Sequence, residues 1–180
     1  MVDAILEYPL QSRVFAIDGI SLTPAKPMER VALRADNSAI TGIEKALGLV
    51  LPKSPKTSVS KNGKTALWIG PDEWLLLTND GASLMSEFAK LKSKLFSAVD
   101  VSHRNTAIQI SGDSAINVLN SGCPQNFSLD AFPIGACSRT VFGKAEVVLW
   151  RTGTSEVHLE CWRSFSDYVW KFLVDSAKAA

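Results

Sequence analysis

The chain has 180 residues, enough for one domain or for two half-domains that share a hydrophobic core. Its composition, with 46% hydrophobic and 21% charged residues, 11 glycines and 8 prolines, is typical of a globular protein and argues against a disordered one. The formal net charge of +1, without a block of lysine and arginine, predicts no binding to nucleic acid or to an acidic membrane surface.

The start of the chain and its cysteines predict a cytoplasmic protein. Residues 1–10 carry two carboxylates and lack the basic start and long apolar stretch of a signal peptide. Apolar runs such as residues 74–77 are far shorter than the ~20 residues of a membrane helix. Three cysteines without a CxxC spacing predict reduced thiols, with neither a disulfide framework nor a zinc site: Cys123, Cys137 and Cys161.

The first elements are an arm, a strand and a helix. Residues 1–27 lack regular periodicity and contain three prolines, so we predict an irregular N-terminal arm laid over the rest of the protein. Val31 and Leu33 alternate as in a strand, after which Asp36 or Asn37 is placed to cap a helix. The helix is predicted from its apolar spacing and its terminal glycine: Ile40, Ile43, Leu47 and Gly48.

A loop, a hairpin, a second helix and a strand follow. The polar segment 51–63 contains two prolines and is predicted to be a loop. Segments 65–69 and 73–78 flank a Gly-Pro-Asp turn and predict a β-hairpin. Residues 82–95 predict an amphipathic helix and residues 98–101 a strand. The helix has a stripe of Leu84, Phe88, Leu91 and Leu95, with Lys90, Lys92 and Lys94 off that stripe.

The second half of the chain repeats this order. Residues 106–110 alternate as a half-buried strand, and Ser111 or Asp113 is placed to cap the helix that follows. That helix contains Ile116 and Leu119 and ends at Gly122. The remaining predicted elements are a hairpin of residues 137–142 and 145–150, a strand at 157–161 and a final helix at 164–177.

Together these elements predict an α+β fold of two similar halves. Leu67-Trp68 in the first half corresponds to Leu149-Trp150 in the second. Each half has the strand and helix order of a split βαβ motif, in which helices cover one face of an antiparallel sheet. We therefore predict a duplicated ferredoxin-like architecture in one compact folding unit. It consists of the arm at 1–27, a first half at 28–103 and a second half at 104–180.

Two motifs resemble a known superfamily. Residues 100–105 read Asp-Val-Ser-His-Arg-Asn and are followed by Ile108, by Ile-Ser-Gly-Asp at 110–113 and by Ala115. This resembles the pattern D-x-S-H-R-G…I…V-x-G-x-D-A of the glycine-cleavage T-protein family. Residues 66–76, Ala-Leu-Trp-Ile-Gly-Pro-Asp-Glu-Trp-Leu-Leu, resemble the gamma subunits of sarcosine oxidase within that superfamily. The resemblance covers roughly residues 28–177 and implies the fold of an aminomethyltransferase folate-binding domain.

The resemblance also implies a role. Heterotetrameric sarcosine oxidases oxidatively demethylate sarcosine to glycine, pass the one-carbon unit to tetrahydrofolate and produce hydrogen peroxide. FAD, FMN, NAD and the tetrahydrofolate site are assigned to their alpha and beta subunits and zinc to delta, whereas gamma has no assigned reaction. The resemblance therefore implies a structural or assembly subunit without a cofactor of its own, whose partners are the alpha, beta and delta subunits.

The sequence gives little support for a catalytic or cofactor-binding residue in this chain. No GxGxxG sequence opens a helix after a strand, so a dinucleotide site is not predicted. T-protein relatives place a catalytic aspartate after a Gly-Gly turn, where this chain reads Gly-Lys-Ala-Glu and offers only the longer Glu146. A misplacement of about 1 Å can cost ~100-fold in rate. His103 is either an acid–base partner of Asp100 or a histidine bonded to neighbouring backbone, and we favour the second. We therefore assign no catalytic, cofactor-binding or metal-binding residue.

One histidine and five tryptophans remain to be placed. His158 lies on the outward phase of its strand and is predicted to face solvent or a partner. Trp68 and Trp150 occupy matching strand positions and are predicted to lie in the core. The other three either complete a tryptophan-rich core or anchor a protein interface: Trp74, Trp162 and Trp170.

Three classes of function are compatible with the sequence. The first is the oxidase subunit, and the second is a free-standing folate-binding or aminomethyl-transferring protein of the same superfamily. The third is an unrelated α+β interaction module. The short chain and the altered Gly-Gly turn argue against the second class, and the resemblance argues against the third. We therefore expect the oxidase subunit.

Overall fold

The computed structural model describes residues 8–92 and 95–179, which form eleven strands, four α-helices and one short 3-10 helix. In chain order they are β1 (Phe15–Ile17), β2 (Ile20–Pro24), β3 (Glu29–Ala35), α1 (Asn37–Leu47), β4 (Ser58–Lys61), β5 (Lys64–Gly70), β6 (Glu73–Thr78), α2 (Gly81–Ala89), β7 (Phe96–Asp100), β8 (Asn105–Ser111), α3 (Ala115–Asn120), β9 (Cys137–Phe142), β10 (Ala145–Gly153), β11 (Glu156–Trp162), the 3-10 helix (Arg163–Phe165) and α4 (Ser166–Ala179). The strands form two antiparallel sheets, so the predicted α+β class with helices packed on such sheets is confirmed.

The first sheet has the strand order β4-β5-β6-β3-β7, in which β3 lies between β6 and β7 as in a ferredoxin-like half. Its helices begin at aspartate caps, because a carboxylate satisfies a backbone N–H that the helix leaves free. Asp36 accepts from the Ser38 N–H at 2.9 Å, and Asp80 accepts from the Ser83 N–H at 3.1 Å. Helix α1 ends at Gly48, whose φ of 68° suits the left-handed cap.

The second sheet has the order β1-β2-β8-β11-β10-β9. In this sheet β2 pairs with β8, and in the first sheet β7 pairs with β3. Strands β2 and β7 therefore occupy equivalent positions in the two sheets. Part of the predicted irregular arm therefore forms two strands, while residues 1–7 lie outside the described chain. The β1–β2 turn, which contains Gly19, packs closely against Gly112. A Cβ at residue 112 would collide with the backbone of Gly19. The Ser114 N–H donates to the Gly19 carbonyl at 2.9 Å.

The two sheets stack face to face, with helices on both outer sides. Helices α1 and α2 pack on the first sheet and α3 and α4 on the second, each pair enclosing its own core. A third cluster lies between the sheets and takes residues from both. Strand residues therefore alternate between a helix-facing core and the inter-sheet core, so both faces of the central strands are buried. The buried residues of the third cluster are Leu67, Leu75, Leu77, Val101, Cys137 and Val148.

Most predicted elements are present, but several boundaries differ. The predicted caps of α3, Ser111 or Asp113, are wrong, because the helix begins at Ala115 after Ser114. The β5–β6 hairpin is confirmed, with Trp68 paired to Trp74. Helix α2 ends at Ala89 instead of residue 95, and the exposed Leu95 accepts a backbone hydrogen bond from Asp36 at 2.9 Å on the approach to β7. Lys94 of the predicted helix lies outside the described residues. The predicted loop 51–63 contains strand β4, which pairs with β5.

Candidate functional site

The turn between the halves is organised by Asp100, at the end of β7. Its carboxylate accepts hydrogen bonds from the Ser102 hydroxyl at 2.6 Å and the Ser102 N–H at 2.8 Å. These bonds, the hydroxyl first, hold the pKa of Asp100 below its usual value. The Ser102 Oγ also accepts from the backbone N–H of Arg30 at 2.9 Å. Asp100 thus shapes the turn by accepting from the backbone N–H and the hydroxyl of Ser102.

His103 and Arg104, the next residues of the 100–105 motif, are placed differently from Asp100. His103 is exposed, and its charge is the smallest of the four influences on the Asp100 pKa. Among the hydrogen bonds of the described residues, none joins the two in an acid–base pair. The Arg104 guanidinium carbon lies 5.5 Å from the centroid of the Trp162 ring, and Arg104 Nε donates to Asn105 Oδ1 at 3.2 Å. The motif therefore builds a turn and an aromatic contact.

A cleft of about 970 Å³ lies between this turn, the segment before β1 and the connection from β2 to β3. Among the described residues, its charged lining consists of five basic side chains and two carboxylates, and two of the basic ones, Arg13 and Arg30, are paired with Asp167 and Glu160. One carboxylate is that of Asp100, which already accepts two hydrogen bonds from Ser102. The basic residues are Arg13, Lys26, Arg30, His103 and Arg163.

A buried ionic cluster lies behind the cleft, between the two sheets. Arg30 on β3 donates through Nε to Glu160 Oε2 at 2.6 Å and through Nη1 to the Met28 carbonyl at 2.6 Å. The other carboxylate oxygen of Glu160 lies 2.7 Å from His158 Nε2, both residues being on β11. The prediction that His158 faces solvent or a partner is wrong, because the first sheet covers this face of β11. The cluster ties one sheet to the other.

The electrostatics of this cluster favour an ionised glutamate. Burial by itself would raise the pKa of Glu160, but the hydrogen bonds and charges of His158 and Arg30 outweigh it and hold that pKa below its usual value. The Trp150 ring contacts His158 edge to face, with centroids 6.0 Å apart. Local sequence gave no signal for this cluster, because its partners lie 130 residues apart.

Glu146 lies elsewhere. It is exposed on β10, opposite Val141 of β9, and does not line the cleft. The preceding turn is fixed by Gly143, whose φ is 59° and whose Cβ, if present, would lie 2.7 Å from Phe172. The Tyr168 hydroxyl accepts from the Lys144 N–H at 3.1 Å. The turn that resembles the catalytic turn of T-proteins is thus packed under side chains of α4.

The three thiols of the chain are buried. All three cysteines are free; burial raises the pKa of Cys137 and Cys161 to about 12 and also raises that of Cys123. A raised pKa disfavours the thiolate that nucleophilic chemistry requires. Over residues 8–92 and 95–179, no three His, Cys, Asp or Glu side chains are grouped to hold a metal ion. None of the helices in that part of the chain is long and apolar enough to cross a membrane.

The tryptophans divide between core and surface. Trp74 and Trp170 are buried, and Trp74 Nε1 donates to the Pro52 carbonyl at 2.7 Å. Trp68 and Trp150 are half-buried and pack against the inter-sheet cluster, as predicted. Trp162 is exposed at the end of β11. Of the three tryptophans left open by the sequence, two complete the core and one remains on the surface.

Comparison with known proteins identifies the family. The model of the sarcosine oxidase, gamma subunit family matches residues 32–179. The chain belongs to this family. The gamma subunit of sarcosine oxidase from Corynebacterium sp. (strain P-1) is 29% identical over 151 residues, which are 82% of this chain and 74% of that protein. The Arthrobacter sp. gamma subunit is 29% identical over 133 residues, 73% of this chain and 66% of that protein.

Solved structures share the fold of this gamma-family chain. The heterotetrameric sarcosine oxidase of Corynebacterium sp. U-96, in complex with pyrrole 2-carboxylate, contains a chain with a TM-score of 0.85 at 24% identity, over 94% of this chain and 90% of that one. Aminomethyltransferase T of the glycine cleavage system from Bartonella henselae gives 0.63 at 14% identity, over 87% of this chain and 46% of that one. At such identities the likeness shows the fold alone, and it confirms the predicted aminomethyltransferase-like architecture.

Proposed function

We propose that this chain is a non-catalytic, structural gamma subunit of a heterotetrameric sarcosine oxidase. The assembled enzyme would oxidatively demethylate sarcosine to glycine, transfer the one-carbon unit to tetrahydrofolate and produce hydrogen peroxide. The observation that carries the proposal is the family match over residues 32–179, which takes in all four helices, most of β3 and every later strand, but neither β1 nor β2.

The geometry of the candidate residues supports a structural role. Asp100 is engaged by Ser102 in a turn, and His103 is exposed on the same turn. Glu146, which stands near the catalytic position of T-protein relatives, is exposed on another strand and outside the cleft. A general acid or base must lie within hydrogen-bond reach of the proton that it transfers. Glu146 lies apart from the other two, and no hydrogen bond among the described residues joins Asp100 to His103, which supports a structural role for all three.

Cofactors and partners follow from the same proposal. We assign FAD, FMN, NAD, tetrahydrofolate and zinc to partner subunits, which we propose to be alpha, beta and delta in a cytoplasmic complex. The described residues of this chain supply buried thiols with raised pKa values and dispersed histidines, a donor set that argues against a zinc site here.

Purification from the native source tests this assembly. The chain should co-purify with larger, flavin-coloured subunits in a complex that oxidises sarcosine, and size-exclusion chromatography with absorbance at the flavin bands would detect it. After separation from its partners under denaturing conditions and refolding, it should carry no stoichiometric flavin or zinc. A colourless monomer in the native extract would contradict the proposal.

A further inference from the structure

The turn of the β4–β5 hairpin carries the dipeptide Asn62-Gly63. Both residues have a left-handed backbone, with φ values of 51° and 73°, and the strand pair that closes the turn is Lys61 with Lys64. A two-residue hairpin loop with two positive φ values is a type I′ turn, which Asn-Gly favours. Both turn residues are exposed, and a Cβ on Gly63 would meet open space. Asn62 is the only asparagine of the chain that precedes a glycine.

This dipeptide can lose ammonia without the help of an enzyme. The backbone nitrogen of Gly63 attacks the side-chain carbonyl carbon Cγ of Asn62, and the amide proton leaves with the side-chain NH2 group as ammonia. The product is a five-membered succinimide ring, which water opens at either carbonyl to give aspartate or isoaspartate. Glycine leaves the attacking nitrogen uncrowded, because it has no Cβ. Among the described residues, no hydrogen bond engages the Asn62 side chain or the Gly63 N–H.

The folded turn keeps the two reacting atoms apart. Ring closure requires the Gly63 nitrogen to lie on the same side of the Asn62 Cα–C bond as Cβ, because all of these atoms belong to the ring. A left-handed residue has a ψ of about 47°, which places the next nitrogen nearly opposite Cβ. The turn must therefore open before the reaction. Strand β4 is four residues long and is an end strand of the first sheet, a position that opens at lower free energy than a central strand.

We propose that Asn62 is a deamidation site and that opening of the β4–β5 hairpin controls its rate. The two products differ in their effect on the turn. Aspartate followed by glycine also suits a type I′ turn, and the new carboxylate lies between Lys61 and Lys64 in the chain. Isoaspartate adds a methylene group to the backbone, so the loop no longer matches the pairing of Lys61 with Lys64. The inference concerns this chain alone and does not depend on the proposed function.

The test compares the deamidation rate of the full-length chain in native buffer and in concentrated guanidinium chloride, at the same mildly alkaline pH. Peptide mapping by mass spectrometry detects the replacement of NH2 by OH, and chromatography separates isoaspartate from aspartate. Asn62 should react at least about tenfold faster in the denatured chain, because hairpin opening no longer limits it. The internal reference is Asn120, which is exposed and followed by Ser121. In the denatured chain it should react more slowly than Asn62, because the serine Cβ crowds the attacking nitrogen.

A variant tests the control by the hairpin separately from the chemistry. Thr65→Gly removes the hydroxyl that lies 2.9 Å from the Ser60 hydroxyl across the two strands and leaves Asn62-Gly63 intact. It should raise the rate in native buffer about fivefold and leave the rate in denaturant unchanged. The matched control is Thr106→Gly, the same change at a half-buried strand position of the second half, which should stay within about twofold of wild type.

Three results would overturn the inference. The first is equal reactivity of Asn62 in the folded and the denatured chain, and the second is a denatured-state rate no higher than that of Asn120. The third is a folded Thr65→Gly variant that reacts as slowly as wild type. If circular dichroism shows that this variant does not fold, the comparison of the wild-type chain in the two solvents decides the question alone.

Discussion

The ionic cluster between the sheets should contribute measurably to the stability of this chain. The perturbation is Glu160→Gln, which keeps the volume of the side chain and removes its charge. Arg30 is only 5% exposed and would then hold an uncompensated charge between the sheets. Removing one partner of a buried, hydrogen-bonded ion pair costs about 3–5 kcal/mol. We expect the isosteric change to fall near ~3 kcal/mol, because glutamine can still accept one hydrogen bond.

The assay is urea unfolding of the isolated, refolded chain, followed by tryptophan fluorescence and circular dichroism. With a slope of roughly 2–3 kcal/mol per molar urea, a loss of ~3 kcal/mol lowers the midpoint by about 1–1.5 M. The matched control is Asp72→Asn, which breaks the exposed pair of Arg34 and Asp72 and should cost less than ~1 kcal/mol. A Glu160→Gln midpoint within experimental error of wild type would refute the claim that the cluster holds the sheets together.

Two further predictions concern pH and backbone geometry. Because the folded-state pKa of Glu160 lies below its unfolded value of ~4.3, its contribution is present above that pH and is lost as the pH falls through the folded pKa. The free energy of unfolding of wild type should therefore fall more than that of Glu160→Gln between pH 6 and 3, and parallel curves would contradict the assignment. Gly143→Ala should cost roughly 2–4 kcal/mol in urea unfolding, from left-handed strain plus collision with Phe172. The control Gly63→Ala has a φ of 73° but open space around it, and it should cost only about 1–2 kcal/mol; equal losses would exclude the collision.

Local pattern predicted most of the regular elements, because turn and cap chemistry is written in neighbouring residues. The Gly-Pro-Asp turn fixed the β5–β6 hairpin, and Asp36 with Gly48 marked the two ends of α1. Strands β1 and β2 had no such signal. Strand β2 is stabilised by pairing with β8, which is about half the chain length away in sequence, and the edge strand β1 is too short at three residues to show a periodicity of its own.

The inter-sheet face explains why His158 was misplaced. Alternation along β11 correctly separated two faces, but sequence alone could not show that a second sheet covers the polar one. A strand with His158 and Glu160 on one face usually turns that face to water. Here Arg30 from β3 meets the two residues, and hydrogen bonds compensate for the lost hydration. The prediction that no residue of this chain is catalytic stays a prediction.

The claim that this chain supports chemistry performed elsewhere is tested most directly by steady-state sarcosine turnover per flavin in the intact complex. His103→Ala and Glu146→Gln are the variants to compare with wild type, at equal subunit stoichiometry. Loss of a general acid or base typically lowers a rate by about 10²–10⁴-fold. We expect turnover within a few-fold of wild type for both variants. A fall of about a hundredfold in either, with normal flavin content, would contradict it and make this chain a catalytic partner.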